Sequence, residues 1–193
     1  WKDSLITSVA MIFYATPVFW VGLLLILLFS VSLGWLPPFG MSGFIRKTGW
    51  AGVVDTLHHL IMPMVSLALF YLAVYVRVAR AATVEVLGRD FVRAARAKGL
   101  SQTQVVRGHV LRNAVLPIIT LAGLQAGQVL GGAVVIESVF AWPGIGRLAF
   151  DALMQRDYNV ILGVFFISSA LVVVANLLTD MSLRVVDPRI GRT

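Results

Sequence analysis

The chain has no cysteine, and this removes disulfide stapling, thiol catalysis and thiolate metal sites together. Charge is nearly as scarce: 13% of residues are Asp, Glu, Lys or Arg, against about 25% in soluble domains. No G-x-x-x-x-G-K-[ST] phosphate loop occurs, so nucleotide is not held by that device. There is no G-x-S-x-G elbow and no H-E-x-x-H pair, and no hydrophobic run offers the two catalytic groups of an intramembrane protease. The chain is not expected to be an enzyme. It also lacks a fixed-period repeat, a low-complexity segment and a soluble-domain linker.

What is present is apolar. Of 193 residues, 59% are hydrophobic, and the mean hydropathy is +0.88. A bilayer core of about 30 Å takes about 20 helical residues. Four stretches reach that length, at about 5–33, 57–80, 114–137 and 158–180. The expected class is all-α transmembrane with four membrane-spanning helices and the lipid bilayer as solvent. A net charge of +7 would suggest nucleic acid in a soluble chain, but here the placement of charge matters more than its sum, and no nucleic-acid partner is expected.

Leu5–Leu33 carries no charge and, as helix, exceeds the hydrocarbon thickness, so it is expected to tilt or to bend near Thr16-Pro17. Trp1-Lys2-Asp3 reads as the approach to this span, with more chain expected upstream. Leu36-Pro37-Pro38-Phe39-Gly40 ends the run, and residues 34–56 form a loop with Trp35 and Trp50 at interface depth. His58 and His59 open the second span, Pro63 follows, and Arg77 and Arg80 close it. As adjacent residues on a helix with no Cys or acidic partner near in sequence, the two histidines read as interfacial rather than metal-binding.

In the third run Gly123, Gly127 and Gly131 share one helical face, the small-residue spacing that lets helices approach closely in lipid. Gln125 and Gln128 lie off that stripe and should face protein or water. Glu137 with Ser138 ends the run, and two readings stand for Glu137: part of an outer gate, or an acid wet at the interface. Trp142-Pro143-Gly144 makes a turn. Ile145–Gln155 then reads as a short interfacial helix with Ile145, Leu148, Ala149, Ala152 and Leu153 on one side. On the last span, Asn176 and Asp180 share a face and would line a polar path or serve as structural capping and ion-pair residues.

The longest polar segment between hydrophobic runs is Arg89–Pro117, inside a loop of about 82–113. Asp90 is expected to cap a helix Phe91–Lys98 that Gly99 ends in the left-handed conformation, with Leu100 packing back on Ala95. Ser101 and Gln104 form the capping box of a second helix, bent or interrupted by Pro117. With four spans, Lys2, residues 77–112 and the C-terminal tail share one side and hold 12 of the 16 basic residues. The positive-inside rule puts that side, with the loop and the C-terminus, in the cytoplasm. A loop that only set topology or touched anionic lipid would need charge but no caps. The capped helices, with Ala94, Ala95 and Ala97 keeping part of the surface low, favour a protein-docking element.

At Ala94-Ala95-x-x-x-Gly99, followed by Leu116-Pro117, the sequence resembles the cytoplasmic EAA loop of ABC-type importer permeases. The strings Ala95-Arg96-Ala97-Lys98-Gly99-Leu100, Leu111-Arg112-Asn113-Ala114, and Glu137-Ser138-Val139-Phe140 with Pro143-Gly144-Ile145-Gly146 are similar to the dipeptide/oligopeptide/nickel branch. So are Arg156-Asp157-Tyr158, Asn176-Leu177-Leu178-Thr179-Asp180 and Asp187-Pro188-Arg189. The likeness covers essentially the whole chain and is nearest to the first of the two permease subunits. Arg93 stands where the general motif has Glu, and the interval from Gly99 to Leu116-Pro117 is longer than the generic one.

The resemblance implies the type I importer permease fold, with these spans the last four of six, in the inner or plasma membrane of a prokaryote. It implies a heterodimer with a second homologous permease subunit, two cytoplasmic ABC ATPases and an extracytoplasmic substrate-binding protein. The chain itself would bind no cofactor, ATP and Mg being used by the ATPase subunits. Asp90, Arg93, Ala94, Ala95, Arg96, Lys98, Gly99, Leu100 and Ser101 would form the ATPase-coupling element. Gln125, Gln128, Glu137, Ser138 and Asn176 are the pathway or gate candidates, and Gly123, Gly127 and Gly131 the packing residues. The cargo implied is di- or oligopeptide, with nickel, chelates or oligosaccharides as alternatives in the same branch. A more distant alternative is a membrane scaffold that recruits partners without transport.

Overall fold

The computed structural model describes residue 8 and residues 11–130 and 133–186. Among them there is no strand. Helix α1 spans Val18–Leu25 and runs on as a π-helical segment, Ile26–Ser32. It is followed by α2 (Trp50–Leu87), α3 (Asp90–Ala97) and α4 (Gln102–Val105). A π-helical turn, Val106–Val110, joins α4 to α5 (Leu111–Leu130). Then come α6 (Val134–Val139), α7 (Ile145–Gln155) and α8 (Tyr158–Val186).

Three helical stretches are long and apolar enough to cross a membrane: Trp50–Leu87, Gln102–Val129 and Tyr158–Val186. Val18–Ser32 is a shorter apolar helix, and the upstream part of the expected 5–33 span is only partly described. Helical structure over residues 11–15 is interrupted at Thr16-Pro17, where proline has no N–H to continue the ladder. Two boundaries differ from expectation. The loop expected to reach residue 56 ends sooner, because α2 already starts at Trp50. The expected 114–137 run is not one helix: α5 stops at Leu130, and Ala133 has non-helical φ −102° and ψ 61° before α6 begins. An uninterrupted apolar run limits charge, not backbone continuity.

The chain divides into two compact units, one of residues 1–73 and 128–171, the other of residues 74–127 and 172–193. In the first, Ile26, Met62, Ile136 and Phe140 form a buried cluster, with Val18, Leu25, Phe29 and Leu67 packed around it. Between lipid-facing helices the gain comes from close packing rather than from leaving water. Gly22 allows that closeness, since a Cβ there would sit 3.1 Å from the Phe140 ring. The backbone N–H of Gly40 donates to the Phe140 carbonyl at 2.8 Å. Asp55 holds the loop before α2, accepting from the Gly43 N–H at 2.8 Å and from Lys47 Nζ at 3.2 Å.

In the second unit, α5 and α8 meet at glycines. Gly123 and Gly127 are buried. A Cβ on Gly127 would lie 3.3 Å from Val172, and one on Gly123 would overlap Thr179. Gly131, the third member of the stripe, lies outside the described residues. Large apolar side chains stay uncovered along α8, including Phe165, Phe166 and Leu177. Such a surface needs lipid or another protein as its neighbour.

Candidate functional site

The polar knob of residues 89–110 is built from short-range rules. Helix α3 starts from Arg89, whose extended backbone (φ −71°, ψ 147°) leaves its carbonyl to accept from the Val92 N–H at 3.1 Å. Asp90 is therefore the first helical residue and not the cap. Its exposed carboxylate pairs with Arg93 at 3.5 Å, where solvent limits the gain to under about 1 kcal/mol. Arg89 itself pairs with Glu85, on the last turns of α2.

Helix α3 ends, as expected, at a left-handed glycine. Gly99 has φ +80°, its N–H donates to Arg96 O at 3.0 Å, and the Leu100 N–H reaches Ala95 O at 3.4 Å. This pair of bonds is the Schellman ending, which needs a left-handed residue. The next helix opens with the expected capping box. Ser101 Oγ accepts from the Gln104 N–H at 3.4 Å, and Gln104 Oε1 accepts from the Ser101 N–H at 2.9 Å.

Beneath these caps lies a small core of Val92, Ala95, Val105 and Val110, flanked by Val86 and Leu87. Val92 and Val105 are fully buried. Ala95 belongs to this core, 5% exposed, and so does not contribute to a docking surface as expected. Residues 92 and 95 are three apart on a helix, and burying one turns the other inward. Ala94 and Ala97 do face out, beside exposed Arg93, Arg96 and Lys98, with Leu100 and Ser101 at the rim. The result is a small rigid projection with a basic surface and low-profile alanines. Sequence alone does not single out the two valines or the π-helical turn before α5, although the spacing of Val92 and Ala95 holds the clue.

The pathway candidates separate. Gln125 and Asn176 lie in the second unit, and Gln128, Glu137 and Ser138 in the first. Gln128, Ser138 and Asn176 are exposed. Gln125 is half-buried, and its Oε1 has no hydrogen-bond partner among the described residues.

Glu137 is different. Its side chain is buried, with 9% exposed, so it is not wet at an interface. Oε1 accepts from the Ala133 N–H at 3.0 Å, and Oε2 accepts from the Arg147 N–H at 2.6 Å. The first donor precedes α6 and the second sits in the opening turn of α7. The Glu137 carbonyl also accepts from the Trp142 N–H at 2.8 Å. Gly144 starts α7 without a capping side chain, and a Cβ there would collide with the Glu137 carboxyl. One acid thus satisfies donors at two helix starts, where a negative charge also meets the positive ends of both helix dipoles. Helix α7 spans the expected residues, with Ala152 buried, Ile145 and Ala149 half-buried, and Leu148 and Leu153 left exposed.

These strings, on these elements, match a known family over residues 1–192: the binding-protein-dependent transport system inner membrane component. The chain belongs to that family. Within this inner membrane component family it is 42% identical to the di/tripeptide transport system permease protein DppB of Pseudomonas aeruginosa, over 97% of the chain and 60% of that protein. It is 44% identical to the oligopeptide transport system permease protein AppB of Bacillus subtilis, over 97% of the chain and 58% of that protein. Identity to the glutathione transport system permease protein GsiC of Escherichia coli K12 is 42%, over 98% of the chain and 58% of that protein. The chain thus spans about three fifths of the length of these relatives. Family membership and the three membrane-length helices agree on a membrane protein.

Proposed function

We propose that this chain is the membrane-spanning part of a permease subunit in an ATP-driven importer of di- and oligopeptides. The observation that carries this is the doubly capped knob, where a topology-setting loop would need only charge. The relatives named for di/tripeptide, oligopeptide and glutathione transport support peptides as the cargo. Val18–Ser32 with the residues before it would form a fourth span, and the four would be the last of six.

In this reading the basic side of the chain, with the 82–113 loop and the C-terminus, is cytoplasmic. Asp90, Arg93, Ala94, Arg96, Lys98, Leu100 and Ser101 would form the surface seated in a cleft of an ATPase subunit. Ala95 and Gly99 would hold its shape. ATP and Mg would be bound by two such subunits. Closure of the ATPases can be passed on as helix movement only if the seat does not deform, and the Schellman ending and capping box supply that stiffness. A second permease subunit would complete the pathway. The outer turn Trp142–Gly144 and α7 would meet an extracytoplasmic binding protein.

The test is ATP hydrolysis by the reconstituted full-length complex in lipid. Peptide-loaded binding protein is expected to stimulate it several-fold, with peptide appearing inside the vesicles. Hydrolysis indifferent to the loaded binding protein would rule the importer out in favour of a recruiting scaffold.

A further inference from the structure

We infer that Glu137 is a positioning residue for the productive encounter with the binding protein, acting by locking α7 at one angle. This rests on the importer reading and adds a role for one buried acid. Its two carboxylate oxygens are both committed as acceptors, one to the Ala133 N–H and one to the Arg147 N–H. Only a carboxylate can accept on both arms, since glutamine presents one acceptor and one donor. The donors on each side are backbone groups that cannot turn away. An isosteric amide would therefore place an N–H against an N–H and lose one arm of the lock.

Three further features show that the lock is built in. The side chain is 9% exposed, and Gly144 leaves it the space that a Cβ would take. The Glu137 carbonyl simultaneously ties down Trp142, closing the turn between α6 and α7. At the end of α6, Phe140 is buried in the core of the unit and its carbonyl accepts from Gly40. Helix α6 is therefore anchored, and the carboxylate transfers that anchorage to α7. Outward from the lock, α7 presents Leu148 and Leu153, with Arg147 and Asp151 paired at 3.8 Å. A cavity of about 500 Å³ lies over Pro143, Gly144, Ile145, Arg147, Leu148 and Asp151.

Without one arm, α7 would sample several angles, of which a fraction suits the partner. Apparent affinity then falls by that fraction, while saturating partner still recovers the competent state. The experiment measures ATP hydrolysis of the reconstituted full-length complex against the concentration of binding protein loaded with trialanine. Glu137→Gln is expected to raise the half-saturating concentration about tenfold at a retained maximal rate, for a competent fraction of about one tenth. A second pair of variants isolates the same bond from the α7 side. Arg147→Pro deletes the N–H in a first turn that tolerates proline, and Arg147→Ala removes the same side chain but keeps the N–H.

Arg147→Pro is expected to raise the half-saturating concentration about tenfold over Arg147→Ala. Equal values for the two Arg147 variants would overturn the inference even if Glu137→Gln fails to assemble. A fall in maximal rate with no change in half-saturation would equally overturn it, as the mark of a purely structural acid. Loss of stimulation in the wild-type complex itself would instead remove the importer reading on which the lock depends.

Discussion

Thr179 stands where a side chain on residue 123 would go: a Cβ built on Gly123 falls among its Oγ1, Cγ2 and Cβ atoms. The threonine hydroxyl donates to the Ala175 carbonyl at 2.8 Å, which holds it in that place. Gly123→Ala should therefore force α5 and α8 apart. Overpacking of this kind costs about 1–3 kcal/mol, which exceeds or cancels the ~1 kcal/mol that alanine returns in helix propensity. The expected outcome is a lower melting temperature of the detergent-purified protein, partly restored by Thr179→Gly in the same chain. If the second change restores nothing, the close approach at this pair is not what the glycine serves.

The left-handed residue at the end of α3 gives a cleaner case. Beyond its own chain neighbours nothing lies within 4 Å of a Cβ placed on Gly99, so at φ +80° the backbone alone sets the cost of substitution. Gly99→Val should lose about 1–2 kcal/mol or more and tilt the second short helix, whereas asparagine tolerates that region. Peptide uptake by the assembled transporter should fall strongly with valine and little with asparagine. Equal uptake by the two variants would show that the hinge angle does not matter.

Ser101→Ala removes the hydroxyl half of the capping box, leaving the Gln104 N–H without its acceptor. A loss of about 1 kcal/mol is expected, concentrated in the opening turn of the second short helix. Hydrogen exchange at residues 102–105 should quicken about fivefold while α8 keeps its protection. Uniform quickening throughout the protein would point to global destabilisation instead.

The knob has a core of its own, so Val92→Ala should cost about 2 kcal/mol, from two lost methyl equivalents plus a small cavity. Val84, 63% exposed, is the control, and Val84→Ala should stay within about 0.5 kcal/mol. Chemical denaturation followed by a fluorescent label on the knob would compare them. Matching midpoints would mean that the four-residue cluster contributes nothing to holding the two short helices together.

Several features were legible before any coordinates. The ends of α3 and α4 depend on residues within five positions of each other, so Gly99, Ser101 and Gln104 announced their geometry, and Ile145–Gln155 announced its helix. Asp90 lies one position inside its expected place because aspartate suits both the cap and the first turn, and the extended backbone at Arg89 decides between them. Hydropathy does not show that Ala133 is non-helical ahead of α6, because it registers apolarity and not backbone angles. Glu137 kept two readings because the donor on Arg147 is ten residues away across a turn.

Composition and local pattern by themselves determined that this is a helical membrane chain with one capped polar knob. Scarce charge, its placement and helix punctuation act through solvation and short-range hydrogen bonds, and these need no fold to be read. Only the tertiary structure decided that Ala95 turns inward, that Thr179 occupies the space beside Gly123, and that Glu137 holds two helix starts at once. Each of those facts depends on which distant atom fills a given volume or meets a given donor. That is a property of packing in three dimensions.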